Sequence, residues 1–168
     1  MTSLEQVLGQ GLSLLDNLGD REYATRLAAP HNASIGGHYR HVIDHLLCLQ
    51  GGLQVGRINY DLRGRDPRME SDREYASSVT RALQTSFRDL SVKDCDRTLA
   101  VAYSVDYDLR RMEWLTSTVG RELAFCTGHA IHHYAIIRIL CAQFEVEVPE
   151  FFGVAPSTLK FRQSTFAN

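Results

Sequence analysis

Three histidines, His129, His132 and His133, lie within five residues of one another in an apolar run that contains no proline. On an α-helix, His129 and His133 are one turn apart on the same face, so their imidazoles can bind one metal ion. His132 lies about 100° around the helix from His133, which favours packing or the support of a ligand. The pair at 129 and 133 therefore predicts half of a metal site.

A second cluster, formed by His38, His41 and His45, also shares one helical face. If the two faces meet, three imidazoles can bind a divalent ion and leave a position open for water or substrate, as in catalytic sites. Imidazole suits Zn, Ni, Fe and Cu, so the sequence does not choose the metal. The competing interpretation is that these histidines only pack and form hydrogen bonds.

Apolar residues at helical spacing predict four long helices, which must position these histidines. Ser34 is a predicted N-cap, Gly51-Gly52 a predicted stop, and Ser71-x-x-Glu74 a predicted capping box. The predicted helices cover residues 4–28, 34–51, 72–90 and 118–144.

Residues 99–105 and 111–115 predict a β-hairpin between the third and fourth helices, with its turn at 106–108; a short helix at the second segment is the alternative. Residues 55–70 predict an ordered polar loop, and the segment after Pro149 an irregular tail that packs back on the bundle. The predicted fold is mainly all-α, a four-helix bundle forming one domain over residues 1–168.

The composition is that of a soluble globular protein, with 44% hydrophobic and 23% charged residues. A net charge of −2 argues against nucleic acid or an anionic membrane as partner. The four cysteines form no Cys-x-x-Cys pair and are interpreted as reduced thiols. With no secretory signal and no apolar span of ~18 residues, we expect a cytoplasmic location. As a partner we expect a small-molecule substrate.

Other residues are weaker candidates. Glu122 lies seven residues before His129. It is interpreted either as a partner that fixes the tautomer of an imidazole or as an exposed charge. Arg138 follows the histidine run by one turn. It is interpreted either as a residue that holds an anionic substrate or as a member of a surface salt bridge. His31 is interpreted as structural or exposed. A charged series in the 55–70 connection predicts a lid or a solvated loop: Asp61, Arg63, Arg65, Asp66 and Glu70.

Four segments resemble the DinB-like (DNA-damage-inducible, YfiT-like) superfamily of metalloenzymes, and specifically an uncharacterised branch of it. They are Ser-Ile-Gly-Gly-His-Tyr-Arg-His-Val-Ile-Asp-His at 34–45, Asn-Tyr-Asp at 59–61, Gly-Arg-Glu-Leu at 120–123 with His-Ala-Ile-His-His-Tyr-Ala-Ile-Ile at 129–137, and Phe-Gly-Val-Ala-Pro-Ser-Thr at 152–158. The resemblance covers most of the chain.

The resemblance implies an up-down-down-up bundle, a homodimer and a three-histidine site for a divalent metal. The metal ligands that it implies are His41 from the second helix and the pair His129 and His133 from the fourth. His38 and His45 depart from the usual pattern, and a shift of one turn changes the ligand.

The leading functional hypothesis is a divalent-metal-dependent enzyme, in which the resemblance implies thiol transfer or hydrolysis, with His38 or His45 as proton shuttle. The alternative hypothesis is a non-catalytic, stress-related bundle that binds a metal or a small molecule. A third interpretation is a helical dimer whose histidines only pack.

Overall fold

The structure is a computed structural model that describes residues 3–28, 32–104, 107 and 112–165. It is mainly helical and carries one small sheet. The helices are α1 (Ser3–Asn17), α2 (Asp20–Ala24), α3 (Ile35–Val55), α4 (Arg68–Ser71), α5 (Arg73–Arg88), α6 (Val119–Gln143) and α7 (Pro156–Thr165), with a 3₁₀ turn at Val92–Asp96. The strands are β1 (Arg57–Asn59), β2 (Thr98–Tyr103) and β3 (Glu113–Thr118).

Four long helices surround the core. Helix α3 packs against α5 and α6, and α1 packs against the same two helices. Their apolar faces bury side chains such as Leu8, Ile43, Leu83 and Ile137. The predicted helical bundle is confirmed, while the up-down-down-up order of helix directions stays a prediction.

The first predicted helix, residues 4–28, is two helices in the structure. Helix α1 ends at Asn17, and α2 starts again at Asp20. Gly19 between them is extended, with φ −79° and ψ 156°, and caps α2. The extended backbone at this point interrupts the helix although the apolar pattern runs across it.

Helix α3 starts as predicted, because the Ser34 hydroxyl accepts a hydrogen bond from the Gly37 backbone N–H. The predicted stop at Gly51-Gly52 is wrong, because the helix continues to Val55 and ends at Gly56 in the left-handed conformation (φ 71°). A side chain at Gly52 would overlap the β1 backbone, so this glycine permits close packing rather than ending the helix.

Helix α5 is capped one residue later than predicted. Asp72, not Ser71, is the N-cap, and its carboxylate accepts from the Tyr75 backbone N–H at 2.8 Å. Ser71 instead ends the short helix α4. An ionised carboxylate also favours the positive end of the helix dipole, which explains why the aspartate takes this position.

Strands β2 and β3 are antiparallel, with Thr98 opposite Thr118, so the hairpin prediction is confirmed and its helical alternative is wrong. The predicted turn lies almost entirely outside the described residues. Strand β1 pairs parallel to β2 and was not predicted, because three residues are too short for a periodic signal. The 55–70 connection therefore carries β1 and α4 rather than only a loop.

The tail packs back through Phe152, which is fully buried and stacks on Tyr134 at 4.7 Å between ring centroids. Two features of the tail differ from the prediction, because Phe151 is exposed and residues 156–165 form helix α7, while Val154 and Leu159 are half-buried. Arg138 donates hydrogen bonds to the carbonyls of Glu150 and Phe152, so it holds the tail rather than a substrate or a salt bridge.

Candidate metal centre

The two histidine clusters face each other between α3 and α6. The His38 ring lies 5.2 Å from His133, while His45, two turns further along α3, lies 4.3 Å from His129, measured between ring centroids. The earlier histidine of α3 therefore contacts the later histidine of α6, and the later one contacts the earlier one. The convergence that the sequence predicted is present.

The three predicted ligands lie together. Ring centroids of His41 and His129 are 5.0 Å apart, those of His41 and His133 are 4.6 Å apart, and those of His129 and His133 are 4.5 Å apart. His45 is equally close, however, and the ligand atoms of His41, His45 and His129 all lie within 4.8 Å of one another. His41 and His129 belong to both sets, and the choice of His133 as third ligand stays a prediction.

Hydrogen bonds orient the outer rings of the cluster. Nδ1 of His45 lies 2.8 Å from the His41 carbonyl, so this nitrogen donates and Nε2 keeps its lone pair for a ligand. Nδ1 of His133 contacts Nδ1 of His38 at 2.9 Å, and one of the two carries the proton. The carbonyl contact fixes the tautomer of His45, and the Nδ1–Nδ1 contact couples the tautomers of His38 and His133, in the way that outer partners orient metal-binding imidazoles.

Nε2 of His129 is buried and has no hydrogen-bond partner among the described residues. Such an orphaned nitrogen normally has an unseen partner, since buried polar groups are nearly always paired. Nitrogen donors from facing helices are the ligands that Zn, Ni and Fe prefer. The donor set therefore fits a divalent metal.

The imidazoles are neutral at physiological pH. Burial, followed by the charge of neighbouring histidines, lowers the pKa of His41 to about 3 and that of His133 to about 3. The same causes lower the pKa of His129 to about 4. Because a metal binds only the neutral ring, a divalent ion would meet little competition from protons at this site.

These pKa shifts predict that the metal-free protein loses stability in acid. In the unfolded chain these histidines take up protons near pH 6.5, whereas in the folded protein they stay neutral down to about pH 3–4. The free energy of unfolding is therefore highest above pH 6.5 and decreases as the pH falls from 6.5 towards 3–4. Urea unfolding in a chelator at pH 7 and pH 5 measures the loss. His129→Gln removes one such imidazole and should show a smaller loss; an equal loss would contradict the assignment.

A polar cavity of about 290 Å³ opens beside the cluster at the start of α3. His38, His41 and His133 line it, together with Arg40 and Glu70. Arg40 is fixed by two carboxylates, since Nη1 lies 2.8 Å from Asp44 and Nε lies 2.8 Å from Glu70. The cavity gives a small polar molecule access to the imidazoles.

A buried hydroxyl–carboxylate contact lies on the opposite side of the cluster. The Tyr60 hydroxyl donates to Glu122 at 2.8 Å, and Ser117 donates to the other carboxylate oxygen. Glu122 is only 8% exposed, and within the described part of the chain its carboxylate bonds to hydroxyls and to no imidazole, so neither of its sequence interpretations is correct. It holds Tyr60, whose ring stacks on His45 at 5.5 Å.

Contacts to the bundle fix the charged series of the 55–70 connection. Asp61 accepts from the Ser104 backbone and hydroxyl, and Asp66 accepts from the Tyr75 hydroxyl. Arg63 reaches the cluster, where its Nη2 lies 3.5 Å from Nδ1 of His41. The sequence did not distinguish it from its charged neighbours.

Two aromatic side chains that line the histidine cluster were not predicted from the sequence. Tyr60 contacts His45, and Phe125 stacks on the His129 ring at 5.8 Å. The position of Phe125, one helical turn before His129, was the available signal for its role. His132 is exposed, in agreement with its exclusion as a ligand, and His31 lies outside the described residues.

Fold and site together define a helical-bundle protein with a histidine cluster between two facing helices. The DinB superfamily model matches residues 3–137, and the chain belongs to this superfamily. The chain is 37% identical over 103 residues to the FK506-binding protein 5 of Rhizopus delemar. That match covers 61% of the chain, which spans 27% of the relative's length.

The crystal structure of a DinB-like protein from Bacillus subtilis has the same fold. It aligns with a TM-score of 0.61 over 88% of this chain and 98% of that protein, at 15% identity. Among the described residues, no helix combines the length and the apolar character needed to cross a membrane.

Proposed function

We propose that the protein is a divalent-metal-dependent enzyme that acts on a small molecule, with His41, His129 and His133 as metal ligands. The observation that carries the proposal is the buried, unpartnered Nε2 of His129 among the imidazoles of the facing helix. Membership of a superfamily that is often metal-binding supports it. The up-down-down-up topology, the homodimer and the cytoplasmic location belong to the same proposal.

Two contacts support His133 as the third ligand. When Nδ1 of His133 carries the proton and donates to His38, Nε2 of His133 is free for a metal, and the ring lines the polar cavity together with His41. A ligand that lines the cavity places the metal where a small molecule can reach it. His45 lines no part of this cavity and contacts Tyr60 on the other side.

The reaction class that this arrangement supports is thiol transfer or hydrolysis. A bound divalent ion would lower the pKa of a coordinated water or thiol and polarise an electrophile. His38 lies on the cavity wall, and in the tautomer that frees Nε2 of His133 its Nδ1 accepts the hydrogen bond from His133 and so orients this ligand. The Arg40–Glu70 ion pair holds the opposite wall in place.

A non-catalytic metal-binding bundle is the second candidate function, because His45 adds a fourth imidazole to the cluster. Four protein ligands close a tetrahedral ion, which is typical of structural rather than catalytic sites. The two functions therefore differ in whether His45 or an outside molecule takes the last position.

Elemental analysis of tag-free His133→Gln and His45→Gln proteins tests the ligand set. We expect His133→Gln to lose metal and His45→Gln to keep one ion per chain. The reverse result would make His45 the third ligand. Retention by both variants would disprove a site that needs either ring.

The visible spectrum of the cobalt-loaded protein then separates enzyme from binding protein. An open position should bind dithiothreitol and change the spectrum, whereas a cobalt ion closed by four imidazoles should not respond. The absence of any change in wild-type protein would favour the binding function and contradict the catalytic one.

A further inference from the structure

Arg63 is a partly buried cation beside the histidine cluster without a carboxylate partner. Within residues 3–28, 32–104, 107 and 112–165, no acidic side chain lies within ion-pair distance of it. The two carboxylates that act on it electrostatically are Asp44 and Asp61. Asp44 is paired with Arg40 at 2.8 Å, and Asp61 accepts two hydrogen bonds from Ser104.

The guanidinium uses one of its edges for the fold, and the other edge has no close acceptor among the described residues. Nη1 of Arg63 donates to the Tyr60 carbonyl at 2.7 Å, which anchors the side chain. Nε is buried and has no partner, and Nη2 only approaches Nδ1 of His41, at 3.5 Å. Nε and Nη2 form the planar fork that binds the two oxygens of a carboxylate.

Both cations and carboxylates act on Arg63: Arg65 and Arg40 on one side of the balance, and Asp44 and Asp61 on the other. Arg65 is exposed nearby and adds positive potential at Arg63, and the clustered imidazoles supply no negative charge. A carboxylate ligand would give the buried Nε–H of Arg63 the acceptor that it lacks among the described residues.

We propose that Arg63 is a binding residue for an organic carboxylate, so that the small molecule handled at the histidine site carries a carboxylate group. This inference rests on the proposed function in one respect, because it assigns the ligand to the same site. The Nε–Nη2 edge of Arg63 pairs with the carboxylate next to His41. The rest of the molecule then lies against the imidazoles.

NMR of arginine Nε–H groups tests the proposal with acetate as probe and acetamide as its neutral counterpart. The Arg63 resonance is assigned by its loss in Arg63→Gln, and both metal-free and zinc-loaded proteins are titrated. We expect acetate to shift this resonance saturably and acetamide to leave it unchanged. No shift with acetate in either form, or equal shifts with both probes, would overturn the proposal.

Three variants supply the controls. Arg63→Gln should weaken acetate binding, followed at imidazole resonances, by about 10- to 100-fold, the range for a charged hydrogen bond. Arg63→Lys keeps the charge without the fork and should be intermediate. Arg65→Gln, at the neighbouring exposed cation, should bind acetate within about 2-fold of wild type; an equal loss in both glutamine variants would show nonspecific charge attraction and overturn the proposal.

Zinc binding, measured separately, distinguishes this proposal from the proposed function. If the wild-type protein binds no zinc while acetate still shifts Arg63, the metal-dependent function fails and the carboxylate site stands. If zinc binds and acetate does not shift Arg63, the carboxylate site fails and the metal site stands.

Discussion

His129→Ala is expected to abolish stoichiometric metal binding, with a loss of affinity greater than about 100-fold. Loss of a residue that merely supports a ligand costs about 10–100-fold, and a ligand should cost more. His129 belongs to both candidate ligand sets, and its Nε2 is the buried nitrogen without a partner. Elemental analysis and competition with a chromogenic chelator measure the effect.

His132→Ala is the matched control for this variant. It removes an imidazole from the same helix, but His132 is exposed and lies outside the group of close ligand atoms. Its metal affinity should therefore remain within about 2-fold of wild type. Full metal content in His129→Ala, or an equal loss in His132→Ala, would contradict the site.

Gly36→Ala is expected to destabilise the fold by about 1–3 kcal/mol, the usual cost of overpacking. A Cβ at Gly36 would overlap the Glu70 carbonyl and approach the Tyr23 ring at 2.9 Å. Helices α3 and α4 would have to separate, which also displaces Glu70 from the cavity wall. Urea denaturation of the metal-free protein measures the change in the free energy of unfolding.

Gly51→Ala, in the same helix, should have the opposite effect. A Cβ at Gly51 meets nothing within 4 Å, and alanine is favoured over glycine inside a helix by about 1 kcal/mol. The two substitutions therefore separate close packing from helix propensity. Destabilisation by both would indicate that backbone strain, rather than the contact with α4, limits this helix.

The long helices and the histidine faces could be predicted because their signal is periodic. The i, i+4 spacing places His129 beside His133 whatever the rest of the chain does. The hairpin was also predictable, because β2 and β3 are each six residues of strand-forming character. Local chemistry of this kind needs no knowledge of tertiary contacts.

The missed features depend on tertiary contacts. The sequence predicted that Gly52 ends the helix, but its lack of a side chain instead allows β1 to pack closely against α3. Glu122 becomes a buried acceptor only because Tyr60, 62 residues earlier in the chain, folds over it. Arg63 is one of several loop arginines until the fold brings it near His41.

The three-stranded sheet has a consequence for the histidine cluster, because its strands connect to the two helices that carry the histidines. Strand β1 follows α3, strand β3 leads directly into α6, and β2 pairs with both. The sheet thus ties the two histidine-bearing helices together through backbone hydrogen bonds that require no ion. The histidine cluster is held together without an ion, so a metal ion bound there would not have to assemble the helices, unlike in a zinc finger, which folds only around its metal.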